Sequence, residues 1–560
     1  MGLDVTSLSD RRAVNRWERA SVGDVLERLT WSYPDQEAVI GWAGAFAHPE
    51  HERLTYLEAD RLVAQVANGL LARGLQRGDR VLMFCENSVE AYLTKLGIAR
   101  AGLVCVPVNP TLAPDVVGHL IDKTRPAFAV VDAELWPRAE EPFDEHGLAP
   151  GITIPIGGGA VEGSATFAEF VRGVPDGEPD VEIHGDDIWQ ILFTSGTTSL
   201  PKGAMISHHS SYYAAYSFAL TLTRGIRLEC DLKLAAFLPI IYHVADQIFT
   251  FPAFLSGGAL VIGRKPDPRA IAEAVTREAI TAVWSGSPAM ANALADVLAD
   301  DRLRYDPRSL KVLVYGWAAL PPGTLTTFKR LCGDDFVAVE IFGQTEAISC
   351  HRFWPDKWGE TYRRTAPERN YVGVPNPTLA SAVVDDTGAD LRDQPGIAGE
   401  AVYRSPSITA GYYGDEEATE HAFRGGWFHS GDSCTYDDRG LRVMVDRYKD
   451  IVKSGGENVS SLRVEAVLHQ HPGVFKAAVV GLPHERWGEA VTAVVIAGTE
   501  HPVSEDEIIA FCRERLAGFE TPKRVLFVDE FPETVGGKVL KYKLRQHYRD
   551  AYARRDAAGT

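Results

Sequence analysis

The stretch Thr194–Gly203, which reads TSGTTSLPKG, combines hydroxyl side chains, glycines and a lysine directly after the apolar run IWQILF. Hydroxyls donate to phosphate oxygens, glycines let backbone N–H groups approach a ligand, and lysine adds positive charge. Such a composition is also typical of a solvated loop, but the proline and the lysine favour ligand binding. The pattern predicts a strand followed by a triphosphate-binding loop. Its candidate ligand-binding residues are Thr194, Ser195, Gly196, Thr197, Thr198 and Lys202.

A different phosphate-binding loop, GxxxxGK[ST], fits this stretch poorly. Gly196 and Lys202 have the required spacing, but Pro201 replaces the second glycine and lacks an N–H group. Gly203 stands where that loop carries the hydroxyl group that binds magnesium. The sequence therefore disfavours a P-loop NTPase.

The stretch resembles the phosphate-binding signature of the adenylate-forming superfamily, [ST]SGTTGxPKG, with Ser199 where glycine is usual. Further segments resemble the other signatures of that superfamily in the expected order: LPIIYH, GQTE, WFHSGD, DRYKDIVKSGGENVS and FPETVGGKVLK. Two departures lie near the hinge segment, with Asp446 in place of a common glycine and Ser461 in place of a common proline. The chain is identified as a member of the AMP-dependent acyl-CoA synthetase/ligase group.

The resemblance implies that the chain activates a carboxylic acid with ATP and Mg²⁺. Thr345 would donate to the α-phosphate, while Glu346 and Thr194 would hold Mg²⁺. Lys538, in the last signature, would bridge the acid carboxylate and the α-phosphate. These residue types suit the task, because charge builds on the phosphates during the reaction and preorganised cations stabilise it.

The same resemblance assigns the nucleoside half of the ATP site. Asp432 would accept from the ribose hydroxyls with help from Arg447, and Phe342 would lie against the adenine. Gly316 and Gly343 complete the nucleotide contacts.

The acid pocket is expected around Tyr242 and His243, where an aromatic residue and a histidine border the carboxylate in the family. A lone histidine is otherwise more often structural. Gly343 would also line the pocket, and Trp317 replaces a small residue there, which predicts a short acyl channel. Asp246 could pair with a cationic acid, although a helix cap or a solvated carboxylate is the more common role for such a residue.

The acceptor of the acyl group is expected to be coenzyme A. Lys449 occupies the position of the family's hinge, and Lys453, Gly455, Gly456 and Glu457 form a KSGGEN segment that resembles coenzyme A ligases. No carrier-protein domain follows in the sequence. An enzyme that passes the acid to an amine or a carrier protein is the alternative, and a catalytically inactive binding relative is a third interpretation.

The remaining periodicity alternates between strand and helix patterns, which predicts parallel-rich sheets covered by helices. Short strand patterns beyond Tyr371 indicate a small β-barrel-like subdomain, and a separate alternation begins at Ile451. We therefore expect an α/β fold with a large N-terminal domain at residues 1–448. A small mobile α+β C-terminal domain is expected at residues 449–560.

Composition limits the partners of the chain. It carries 57 basic and 76 acidic residues, a formal charge of −19, which opposes nucleic-acid binding. The seven cysteines include no CxxC pair, and no apolar run has membrane-spanning length. We expect a cytoplasmic protein without an integral membrane segment, with a small carboxylic acid and coenzyme A as partners and a homodimer as one option.

Overall fold

The computed structural model describes residues 19–194, 201–222, 228–243, 245–300, 304–367, 369–447, 450–455, 457–498, 501, 503–533 and 539–552. Within these residues the strands are β1 (Glu37–Trp42), β2 (Arg53–Thr55), β3 (Arg80–Phe84), β4 (Val104–Pro107), β5 (Phe128–Asp132), β6 (Ile152–Ile154), β7 (Ala165–Thr166), β8 (Ile188–Phe193), β9 (Gly203–Ser207), β10 (Lys233–Ala236), β11 (Ala259–Gly263), β12 (Ala282–Gly286), β13 (Val312–Gly316), β14 (Val337–Gln344), β15 (Ala347–Phe353), β16 (Asn370–Pro375), β17 (Ala380–Val384), β18 (Gly399–Arg404), β19 (Phe428–Tyr436), β20 (Arg442–Arg447), β21 (Val452–Ser454), β22 (Glu457–Val459), β23 (Val474–His484), β24 (Gly488–Ala497) and β25 (Arg524–Phe527).

The α-helices of the same residues are α1 (Glu27–Thr30), α2 (Tyr56–Ala72), α3 (Val89–Arg100), α4 (Pro114–Thr124), α5 (Trp136–Glu145), α6 (Phe167–Val171), α7 (His208–Leu222), α8 (Phe251–Leu255), α9 (Pro268–Glu278), α10 (Pro288–Asp300), α11 (Pro322–Cys332), α12 (Gly359–Thr365), α13 (Glu416–Ala422), α14 (Ser461–Leu468), α15 (Glu505–Arg513) and α16 (Lys541–His547). A π-helical turn at Asp246–Thr250 precedes α8.

Two large sheets form the body of the protein. One has the strand order β7-β6-β5-β3-β4-β8-β9, and the other runs β17-β18-β19-β20-β16-β15-β14-β13-β12-β10-β11-β1-β2. Strands β10, β12, β13 and β14 are parallel neighbours. The segments that follow them therefore leave the second sheet at one edge, where open parallel sheets bind ligands.

Helix α3 joins the cores of the two sheets. All of its residues are buried, including Glu90, Lys95 and Arg100. A helix that is buried on every side lacks the usual polar stripe, and its charged residues need partners. Glu90 pairs with His51, Arg100 pairs with Asp60, and Lys95 reaches the turn that precedes α8.

The predicted α/β fold is confirmed. The strand pattern expected beyond residue 371 forms β16 to β20, which are antiparallel and extend the second sheet through β15. The smaller C-terminal domain has its own sheet, β22-β21-β24-β23 with β25 paired to β24, and its own core. Helices α14 and α15 belong to this domain, as the separate periodicity predicts, and α16 is a further helix that the sequence did not indicate.

Among the residues that the structure describes, no helix combines the length and apolarity needed to cross a membrane.

Candidate active site

The predicted ribose-binding pair lies on neighbouring strands. Asp432 on β19 is directly opposite Arg447 on β20, and Arg447 Nε lies 2.7 Å from Asp432 Oδ1. Asp432 is only 1% exposed. Burial opposes the charged form of Arg447, but the carboxylates of Asp432 and Glu346 outweigh it and raise the pKa of Arg447. The pair therefore presents one fixed negative and one fixed positive group at this strand end.

Glu346 and Lys202 are brought together by a tyrosine that sequence reasoning did not single out. The Tyr412 hydroxyl donates to Glu346 Oε1 at 2.9 Å, and Lys202 Nζ lies 5.1 Å from the centre of the Tyr412 ring. Burial and the Glu346 carboxylate raise the pKa of Tyr412, so its hydroxyl stays protonated and acts as a donor. Cation, ring and carboxylate thus form one cluster.

The backbone explains how this cluster forms. Met205 N donates to Gly411 O at 2.9 Å, and Tyr413 N donates to Gly203 O at 2.8 Å. The chain around residue 411 therefore lies along β9, directly after the predicted phosphate loop. Thr409 N also donates to Glu346 O at 2.7 Å. The sequence signal for this contact was weak, since GYYGD reads only as a turn.

The phosphate loop itself falls largely outside the described residues. This applies to Ser195, Gly196, Thr197 and Thr198, and also to Ser199. The two ends of the loop are described: Thr194 N donates to Lys202 O at 2.9 Å, which extends the β8–β9 ladder to the base of the loop.

The adenine side is formed at the end of β14. Phe342 is half-buried, with its ring 6.2 Å from that of His351, and Gly343 is exposed. Thr345 is half-buried in the turn before β15. A side chain at Gly316, the last residue of β13, would lie 2.8 Å from Ile341 O, so only glycine fits between these strands.

Buried side chains form hydrogen bonds with the backbone of the loop that carries Tyr242 and His243. Asn87 Nδ2 donates to Leu238 O at 2.8 Å, and Ile240 N donates to Asn87 Oδ1 at 2.8 Å. Lys95 Nζ donates to Ile241 O at 2.8 Å. Sequence reasoning missed both Asn87 and Lys95, because neither residue belongs to the signature that names the pocket.

His243 is a neutral donor at this position. Ala245 N donates to His243 Nδ1 at 3.2 Å, which leaves the ring proton on Nε2. His243 is an exposed residue. Where protein surrounds the ring, burial, followed by the Lys95 cation, lowers the pKa of His243 to about 4. The ring can therefore offer a hydrogen bond, but not a full charge, to a carboxylate at neutral pH.

Asp246 requires a correction to the expected pocket. It is 0% exposed, and its Oδ2 lies 2.6 Å from Nζ of Lys95, which is 1% exposed. A buried carboxylate is retained in the charged form by such a cation. Asp246 thus satisfies Lys95 under the pocket and does not face a bound acid, which removes the structural basis for pairing with a cationic substrate.

Trp317 stands on the pocket side with an unusual backbone. Its φ is +71°, in the left-handed region, and its side chain is 41% exposed. The ring packs edge-on against Trp284, which stacks on Phe249 with centroids 4.5 Å apart. A bulky residue in this conformation carries strain of about 1–3 kcal/mol. The backbone at residue 317 thus has a conformation that suits glycine, although the residue is a tryptophan.

The acceptor segment lies on the small domain. Lys453 and Glu457 are exposed on β21 and β22, and Gly455 turns between them with φ +63°. Gly455 N donates to Trp487 O at 2.8 Å. The contacts described for this turn are within the small domain, so it is not joined to the ATP groups. Gly456, Lys449, which is the predicted hinge residue, and Lys538 lie outside the described residues.

Comparison with known proteins agrees with this geometry. Residues 26–413 match the AMP-binding enzyme family, and residues 463–538 match the AMP-binding enzyme C-terminal domain. A feruloyl-CoA synthase from an Amycolatopsis species is 33% identical over 88% of this chain and 94% of its own. Long-chain-fatty-acid–CoA ligase FadD13 of Mycobacterium tuberculosis is 30% identical over 93% of this chain and 99% of its own.

Two solved structures of one relative, with and without ATP, are similar to this chain. MatB from Rhodopseudomonas palustris with ATP bound is 28% identical, covers 95% of this chain and 99% of its own, and has a TM-score of 0.80. The apo structure of MatB, also 28% identical, covers 95% of this chain and 100% of its own with a TM-score of 0.69. Over the whole chain, the similarity is thus greater to the ATP-bound structure than to the apo structure.

Fold and site together define an adenylate-forming enzyme. The chain belongs to the AMP-binding enzyme family, as both matched regions and the identity to the feruloyl-CoA synthase show. It is an ATP-dependent acid–CoA ligase, which activates a carboxylic acid as an acyl-adenylate and transfers the acyl group to coenzyme A.

Replacing Asp246 by asparagine should reduce stability without changing substrate charge preference. Lys95 would remain buried without a carboxylate, at a cost of about 3–5 kcal/mol in unfolding free energy, measured by urea denaturation. The double variant Lys95→Met/Asp246→Leu should lose much less. If the folded Asp246→Asn variant changed the rate ratio of γ-butyrobetaine to butyrate, Asp246 would act on the substrate after all.

His243 should remain neutral throughout the physiological pH range. Its folded pKa lies below the ordinary value of 6.5, so the ring takes up a proton only as the pH falls through about 4. A ¹⁵N NMR titration should place this transition near pH 4. The Lys95→Met/Asp246→Leu variant should raise it, because the Lys95 cation is removed. A wild-type transition near pH 6.5 would contradict the assignment.

Proposed function

We propose that the site residues act on ATP as follows. Asp432 accepts from the ribose hydroxyls, Arg447 supports this contact, and Phe342 lies against the adenine. Thr345 donates to the α-phosphate, and Lys202 attracts the outer phosphates with the rest of its loop. The observation that carries the proposal is the joining of Lys202 to Glu346 through Tyr412, beside the Asp432–Arg447 pair.

Mg²⁺ fits the same corner. Tyr412 occupies only Oε1 of Glu346, so the carboxylate keeps an oxygen for a cation, and Thr194 stands at the base of the phosphate loop. Carboxylate oxygens are preferred Mg²⁺ ligands, with substrate phosphates completing the shell. When bound, the ion would neutralise phosphate charge.

The first half-reaction forms the acyl-adenylate. A carboxylate oxygen of the acid attacks the α-phosphorus of ATP, and the bond to the bridging oxygen breaks, so that pyrophosphate leaves with the electron pair. His243 Nε2–H orients the carboxylate beside Tyr242. Lys538, outside the described residues, is assigned to bridge the carboxylate and the α-phosphate, because a cation there offsets the charge of both anions.

In the second half-reaction the coenzyme A thiolate attacks the acyl carbonyl, and AMP leaves. We assign Lys453, Gly455, Gly456 and Glu457 to the acceptor face. Support comes from Trp487, which contacts Gly455 and has two cations near its ring, Arg486 at 5.6 Å and Lys523 at 5.5 Å. Two cations beside an aromatic ring suit coenzyme A, which carries anionic phosphates and an adenine base.

The proposed hinge, Lys449, lies between a domain at 1–448 and one at 449–560, and the small domain carries both the Lys538 loop and the residue-453 turn. Rotation about this hinge would present the Lys538 loop for the first step and the residue-453 turn for the second. A hinge needs only a few residues that change φ and ψ.

We further propose that the acid is compact. A side chain at Gly286 would lie 3.1 Å from the Trp317 ring and 3.2 Å from the Met290 sulfur, so the two groups meet over Gly286. Met290 also lines an apolar cavity of about 220 Å³ between α9 and α10. Trp317 thus lies near a residue that lines this cavity, which supports a short acyl channel that its ring limits.

Cytoplasmic location and a homodimer, both expected from the sequence, remain proposals. Light scattering of the purified chain and fractionation of the source cells check them.

The function is tested by pyrophosphate release with butyrate, benzoate, palmitate and γ-butyrobetaine, with and without coenzyme A, followed by mass spectrometry of the products. We expect an acyl-CoA only when coenzyme A is present. Lys538→Ala should lower adenylation by about 10²–10³, the scale for losing one preorganised charge, yet spare thiolysis of a supplied acyl-adenylate. Equal loss in both steps would contradict the role of Lys538, and an amide product would favour an amine acceptor.

Trp317→Gly should broaden the chain-length range. Glycine adopts φ +71° without strain, which offsets part of the packing lost with the ring, and the lost ring opens space beside Met290. We expect kcat/KM for octanoate relative to butyrate to rise by at least about tenfold, since each buried methylene contributes about 0.8 kcal/mol. Trp317→Phe is the matched control and should retain the wild-type profile. An unchanged profile in Trp317→Gly would exclude the ring as the length limit.

A further inference from the structure

The junction between the large and small domains contains a buried polar contact. Strand β20 is the last strand of the large domain, and helix α14 is the first helix of the small domain. The hydroxyl of Ser460, which caps α14, donates to Val445 O on β20 at 2.7 Å. The two elements are thus held together next to the proposed hinge.

Asp446 is the centre of this contact. It is 1% exposed, and its Oδ2 accepts from both the backbone N and the hydroxyl of Ser461, each at 2.6 Å. Its Oδ1 accepts from Arg447 N at 2.7 Å. Hydrogen bonds to a buried carboxylate are among the stronger ones, and an unmatched buried carboxylate is costly.

Lys541 completes the cluster from a second element of the small domain. Its Nζ donates to Ser461 Oγ at 2.5 Å and lies 2.8 Å from Glu465 Oε1. The Ser461 hydroxyl therefore accepts from the cation while it donates to the carboxylate. Lys541 opens α16 and follows Lys538 by three residues, so the cluster connects the large domain to the start of the helix after the proposed catalytic loop.

The two central residues are both departures from the family pattern, and the structure brings them into contact. A glycine at 446 would have no carboxylate to accept, and a proline at 461 would have no N–H to donate. The two hydrogen bonds between residues 446 and 461 therefore require both departures.

We propose that Asp446, Ser461 and Lys541 form an interdomain latch that positions the small domain for the first half-reaction. The inference rests on the two-step function and the hinge rotation proposed above. Over the whole chain, the similarity is greater to the ATP-bound than to the apo structure of MatB. Arg447, next to Asp446, pairs with the ribose-site residue Asp432, so a bound nucleotide and the closed latch share one strand end.

The latch must open before the second half-reaction. Rotation about residue 449 carries Ser461 and Lys541 with the small domain and leaves Asp446 on the large one. The latch residues therefore favour the domain arrangement for adenylation and oppose the rotation of the small domain that precedes thioester formation. Asp446, Ser461 and Lys541 are positioning residues, since none of them is assigned to contact the reacting atoms.

The test uses the full chain with Asp446→Gly, Ser461→Pro and the double variant. Adenylation is measured by ATP–pyrophosphate exchange with the fastest acid of the panel above, and thiolysis by supplying its synthetic acyl-adenylate and coenzyme A. Each single variant should lose about tenfold in exchange and retain or increase thiolysis. The double variant should lose no more than Asp446→Gly alone, because the two residues act through one contact.

A matched control is Ser504→Ala, which removes the hydroxyl that caps α15 inside the small domain. It should change neither half-reaction, and thermal unfolding should show that every variant is folded. Should Ser461→Pro unfold, Ser461→Ala removes the link to Lys541 and must still show the split. Equal loss in both half-reactions, or additive losses in the double variant, would overturn the latch while wild-type activity upholds the function. A wild type without exchange or acyl-CoA would overturn both.

Discussion

The site depends on the buried ion pair between Lys95 and Asp246, which joins helix α3 to the loop of the acid pocket. Lys95 lies on α3, a helix buried along its length, and binds both Asp246 and the carbonyl groups before Tyr242. Because a buried cation is costly without its partner, this pairing restricts the loop to one position. Burial, followed by the same cation, lowers the pKa of His243, so the ion pair contributes to both the shape and the charge of the acid pocket.

The nucleotide edge follows a different principle, in which opposite charges are separated by a neutral donor. Tyr412 stands between Lys202 and Glu346, so the lysine contacts a ring while the carboxylate receives a hydroxyl. Neither charge neutralises the other by direct contact. The lysine is left for phosphates and a carboxylate oxygen for a cation, which is how a site can be preorganised for a polyanion before it binds.

The domain junction adds a balance between two states. An enzyme with two half-reactions needs contacts that are firm enough to hold each arrangement and weak enough to release it. The shared hydroxyl of Ser461, which donates to Asp446 and accepts from Lys541, has this character, because all three groups can rebind water when they separate. At Trp317, in contrast, a strained backbone conformation accompanies a large side chain that is proposed to shape the acid pocket.

The sequence by itself determined the α/β alternation, the small C-terminal domain and the chemical class, because periodicity and short signatures are local properties. It also predicted Asp432 and Arg447 as one group, and the structure places them 2.7 Å apart. Only the tertiary structure decided that Asp246 serves Lys95, that Tyr412 joins two signatures, and that Asp446 meets Ser461. These outcomes depend on which distant segments pack together and which charges lose water, and such burial leaves no mark in the local pattern of residues.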